Sequence, residues 1–102
     1  MKYGFIPTQR RHHFMVEMAT DIGKDGTHSG QIKNGYTASI FTMESAPCTV
    51  VRLGSSVSIM SEQLSANLTC SGTDVSGACS FQVPYRTGTG PMSGHIWVTN
   101  DA

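Results

Sequence analysis

Strict alternation of apolar and polar residues from Leu64 to Cys70 constrains this chain more than any other stretch. Leu64, Ala66, Leu68 and Cys70 fall on one side of an extended backbone and Ser65, Asn67 and Thr69 on the other, the period-two pattern of a half-buried strand. Cys79 to Tyr85 repeats it, with Cys79, Phe81, Val83 and Tyr85 opposite Ser80 and Gln82. Cys48 to Leu53 and Val57 to Met60 supply two further strands, and the Gly54-Ser55-Ser56 segment makes a tight connection between them. The turn-rich segment from Ser71 to Ala78 joins the last two strands as a hairpin loop, with Cys70 and Cys79 on the same side at its mouth. That arrangement predicts a Cys70–Cys79 disulfide in an oxidising environment, with Cys48 left free. In a reducing one all three thiols act as small buried hydrophobes.

Before this run the pattern is weaker. Tyr3 to Ile6 reads as an edge strand ended by Pro7, and His13 to Met18 as a strand with Phe14, Val16 and Met18 on one face. From Asp21 to Gly35 the glycines at 23, 26, 30 and 35 mark turns, so this is expected to be the longest irregular region, with at most a short strand at Gln31 to Lys33. Tyr36 to Met43 resumes alternation. At the other end Thr87 to Pro91 reads as a turn, and Gly94 to Thr99 as a strand with Ile96 and Val98 on one face and His95 and Trp97 on the other. One segment has two readings. Met60, Leu64 and Leu68 lie four apart and Ser61 could cap a helix, so a short helix over residues 61–68 competes with a strand there.

The expected fold is mostly β: residues 1–102 form one small antiparallel β-barrel or sandwich of about six to eight strands. A chain of 102 residues buries roughly 65% of its unfolded surface around a single core. With 38% hydrophobic and only 14% charged residues, and 11 glycines, the composition favours strands and turns over helices.

Seven basic and seven acidic residues give zero formal charge, so no global field draws the chain to nucleic acid or to an acidic membrane. The same neutrality removes self-repulsion and leads to the expectation of a homo-oligomer, formed through a sheet edge or through an exposed His95/Trp97 face. The first residues lack the apolar core of a signal peptide, which points to a cytoplasmic location, with secretion the alternative if Met1 is not native.

Motifs that would carry chemistry are sparse. None of the four histidines sits at a spacing that enforces metal coordination, no G-x-S-x-G elbow occurs, and no metal, cofactor or catalytic residue is assigned. Asn67-Leu68-Thr69 is a glycosylation sequon on the polar side of its strand. Arg10-Arg11, the glycine-punctuated loop and then Gly30-Gln31-Ile32-Lys33-Asn34 resemble the layout of PilZ domains, in which paired arginines and a D-x-S-x-x-G loop hold a cyclic dinucleotide on a β-barrel. Asn34-Gly35-Tyr36-Thr37-Ala38-Ser39 stands where that loop motif belongs, so no family assignment follows. What carries over is a physical idea: two guanidiniums beside a glycine-rich loop can clamp an anion bidentately.

Three functional readings follow. The leading one is a non-catalytic module that binds a protein partner or assembles with itself. The second is a barrel that binds a small anionic ligand through Arg10, Arg11, His12, His28 and the 21–35 loop. The third is a small enzyme with its site in a barrel mouth, drawing on His28 or His95.

Overall fold

A computed structural model of the chain describes residues 2–5, 8–9, 12–18, 20, 22–35, 45–83 and 86–99, with side chains at 13–18, 20, 22–35, 45–82 and 87–96. Among the described residues all regular structure is β, in one antiparallel sheet of nine strands. The strands are β1 (Lys2–Phe5), β2 (Thr8–Gln9), β3 (His12–Met18), β4 (Gly26–Gly35), β5 (Ala46–Leu53), β6 (Ser56–Ser61), β7 (Leu64–Ser71), β8 (Asp74–Val83) and β9 (Arg86–Thr99). The seven strands β3 to β9 form a meander curled into a half-barrel. β1 and β2 lie between its ends, pairing with β9 on one side and with β3 on the other.

Alternation decides what points inward. Phe14, Val16 and Met18 of β3, Val50 of β5, Ile59 of β6, Leu64 of β7, Val75 of β8 and Met92 of β9 meet in one core, and all are buried. Phe14 and Phe81 pack with ring centroids 6.2 Å apart at a tilt of 60°, and Phe81 in turn lies over Gly88, where a Cβ would come within 3.0 Å of the ring. The expected barrel or sandwich is thus a curled, side-chain-filled sheet. No helix occurs among the described residues.

Four expectations need correction, each for a tertiary reason. The supposed irregular region from Asp21 to Gly35 contains the ten-residue strand β4. Its glycines are there for close approach: a Cβ at Gly30 would run into the Glu17 carbonyl oxygen and the Met18 side chain. Residues 61–68 are not helical. Ser61 does cap, its hydroxyl accepting from the N–H of Gln63 (3.1 Å) and of Leu64 (2.9 Å), but it closes a tight turn into β7. Thr87 to Pro91 lies inside β9, paired with β8.

The fourth concerns the hairpin. Only Gly72 and Thr73 connect β7 to β8, with Gly72 at φ +63°, so Asp74 to Ala78 belong to the strand. Cys70 therefore faces Val75, and Cys79 faces Ala66. That places the two sulfurs four residues apart along the ladder, roughly 13 Å by strand rise and beyond the reach of a disulfide. All three cysteines are free and buried, and the Cys70 thiol donates to the Gly72 carbonyl at 3.2 Å. The expected strand at Tyr36 to Met43 lies outside the described residues.

Candidate functional site

The meander gives the barrel two ends. At the first lie the β5–β6 turn at Gly54-Ser55, the β7–β8 turn at Gly72-Thr73 and the connection from β3 to β4. At the second lie the β6–β7 turn at Glu62-Gln63, the close of β8 and the start of β3.

The first end is capped. Ile22 is fully buried and acts as a plug. Around it Arg52 donates to the carbonyls of Gly54 (2.8 Å) and Ile22 (3.2 Å), while the Asp25 carboxylate accepts from the Gly54 N–H at 2.9 Å. His28, only 8% exposed, fastens the connection from within. Its Nε2 lies 2.9 Å from the Lys24 carbonyl, which can only accept, so Nε2–H donates there. In the neutral imidazole Nδ1 then accepts from the Thr20 hydroxyl at 2.8 Å. Both ring nitrogens are thus engaged in holding the fold, and neither is directed at a ligand.

The other described residues singled out from sequence are dispersed. Arg10 and Arg11 lie outside the described residues. His12 opens β3 opposite Gln9, at the second end. The seven residues of β3, about 20 Å of strand, separate it from the connection that His28 fastens. His95 is on the outer wall with its Nδ1 3.6 Å from the Asp74 carboxylate, both side chains largely exposed. Trp97 sits in β9 opposite Gly4, and its side chain lies outside the described residues.

The Cys48 and Cys79 thiols are poor nucleophiles. Burial pushes the Cys48 thiol up from 9.0 to about 11 and raises that of Cys79 as well, because a thiolate is costly where water is excluded. A pH dependence follows. The folded value lies above the unfolded one, so the unfolded chain ionises first as pH rises. Stability from this group is complete below about pH 9 and falls between pH 9 and 11, by at most about 3 kcal/mol at about 1.4 kcal/mol per pH unit. Urea unfolding of the parent and of Cys48→Ala across this range measures it, and the variant should show the shallower decline.

The feature that sequence reasoning missed is at the second end. A cleft of about 460 Å³ opens on the outer wall where β7 starts, β8 ends and β9 begins. Leu64 and Phe81 underlie it, and Gln63, Ser65, Ser80, Gln82, Thr87 and Thr89 line it, with Glu62 at its margin. Its shape is fixed from below: the buried Asn34 amide donates to Gln63 Oε1 at 2.8 Å, and the Gln82 N–H donates to the Gln63 carbonyl at 2.9 Å. A second depression of about 470 Å³ lies over Gly30. There the one carboxylate, Glu17, is already paired with Lys33 at 3.4 Å. Outward hydroxyls at alternate positions were the only sequence signal of the first cleft. Comparison with protein families, with curated proteins and with solved structures finds no match to this chain.

Proposed function

We propose that this protein is a non-catalytic binding module that engages its partner through the outer wall of the barrel, at the cleft between the starts of β7 and β9 and the end of β8. The observation that carries the reading is the placement of polar groups. The interior is filled by apolar side chains, whereas Ser65, Ser80, Gln82, Thr87 and Thr89 gather around a concavity with no hydrogen bond to another described side chain. Unspent donors and acceptors in a concave, backbone-rigid setting are what a binding site requires. His28, one of the two groups that the catalytic reading draws on, is committed to structure through both ring nitrogens.

This reading places a ligand, rather than a second copy of the chain, in the cleft. Each strand has a neighbour on both sides, so the described strands offer no simple edge for pairing. Leu53 and Met60, 66% and 50% exposed, are the exposed large hydrophobics among the described residues, and neither lines the cleft.

Titration of the isotope-labelled protein with a fragment and oligomer library, followed by amide chemical shifts, tests the assignment. Shifts are expected at Gln63, Ser65, Ser80, Gln82, Thr87 and Thr89. Shifts confined to the capped end, around Thr20 to His28, would move the site there and overturn it.

A further inference from the structure

Resting on that reading, we propose that the cleft is a carbohydrate site, taking a neutral oligosaccharide laid across the strands. Ser65, Ser80 and Thr89 are direct register partners on β7, β8 and β9, and all three are exposed on the outer side. They form a rank of hydroxyls repeating at the inter-strand distance, about 4.8 Å. Above this rank Gln82 faces Thr87 across the β8–β9 ladder. Gln63 completes the group: its Oε1 is occupied by Asn34, which orients the amide and leaves Nε2 as a donor.

The chemistry of this lining selects among ligand classes. Hydroxyls both donate and accept, and primary amides offer each function on a separate atom, which matches the dual character of sugar hydroxyls. Among the described residues no Lys, Arg or His lines the cleft and Glu62 is the one charged group, so its described lining offers an anionic ligand no compensating charge. An extended peptide gains most by pairing with a free strand edge, but the main chains of β7 and β8 beneath the cleft are hydrogen-bonded on both sides. A nucleobase needs an accessible aromatic face for stacking, and Phe81, the aromatic among the described lining residues, is packed against Gly88 and only 5% exposed. A neutral polyhydroxylated chain is the class that the described lining matches best, running across β7, β8 and β9 so that successive rings meet successive hydroxyls.

The test uses the intact protein and three neutral probes, cellotetraose, maltotetraose and chitotetraose, against a sulfated tetrasaccharide and a Ser/Thr-rich peptide. Binding is read by amide shifts and by the dissociation constant. At least one neutral probe should shift the amides of Ser65, Ser80 and Thr89, with the sulfated sugar at least tenfold weaker. Ser80→Val should weaken that binding tenfold or more. Ser76→Val, on the same wall but outside the cleft, should leave it unchanged, and matching melting temperatures verify that both variants fold. If the peptide or the sulfated sugar shifts these amides and the neutral sugars do not, the cleft stands as a binding site and the carbohydrate assignment falls. If no ligand shifts them, both fall together.

Discussion

Replacing Phe14 by alanine is expected to cost about 3 to 5 kcal/mol, the largest effect of any single truncation in this core. Phe14 has no exposed surface and is the inner partner of Phe81. Phe81 covers the groove left by Gly88, so loss of the Phe14 ring removes its own contacts and also the support of that lid. A domain of this size loses about 4 °C or more per kcal/mol, so thermal melting followed by circular dichroism should show a fall of about 15 °C or more. With total stabilities of small domains at about 5 to 15 kcal/mol, part of the variant should be unfolded at room temperature if the parent is near the lower limit. A fall of only a few degrees would mean that the aromatic pair does not anchor the core.

The second large effect is expected at Gly77. A Cβ there would be driven into the Asn67 carbonyl oxygen and to 3.0 Å from the Leu68 Cα, both backbone atoms of the neighbouring strand that no side-chain rotation can move aside. Gly77→Ala should therefore cost about 3 kcal/mol, paid in ladder distortion between β7 and β8. Gly72 is the control. Its φ of +63° calls for a residue that accepts the left-handed region, but nothing lies within 4 Å of a Cβ, so Gly72→Asn should cost less than about 1 kcal/mol. Chemical denaturation of the two variants separates a steric requirement from a conformational one. Equal costs would refute the close approach at Gly77.

These glycines explain where the sequence was legible and where it was not. β7 could be read residue by residue because Leu64, Ala66, Leu68 and Cys70 all face the core and nothing in the strand needs outside help. β4 could not, because its inward positions are His28, Gly30, Ile32 and Asn34. Two of those are polar side chains whose burial is tolerable only because Thr20, Lys24 and Gln63 satisfy them, and those partners are known only after folding. Gly30, Gly77 and Gly88 look like turn residues in sequence, yet each sits mid-strand where a neighbour needs the space. The Cys70–Cys79 expectation failed on a single quantity, the length of the β7–β8 turn, which sets the register of every pair behind it.

The cleft was illegible for a related reason. Ser65, Ser80 and Thr89 are unremarkable outward residues taken singly, and only the ladder brings them into one rank. Of the expected ligand set, His12 and His28 are the members that the strands separate, because β3 carries His12 and the β3–β4 connection to opposite ends of the barrel.

The position of β1 bears on the order in which this molecule assembles. From β3 to β9 each strand pairs with the next in sequence, so those pairings span far less of the chain than the pairing of β1 with β9 and close at smaller entropic cost. The pairing of Tyr3 with Val98 and of Phe5 with Ile96 joins opposite ends of the described chain, and it gains nothing until the meander has curled far enough to bring β3 and β9 within reach of one short strand. That seam is consequently the last ladder to form and the first to open. Amide protons at Tyr3 and Val98 should exchange through local opening well before those of β6 and β7, whose release requires the whole core to come apart.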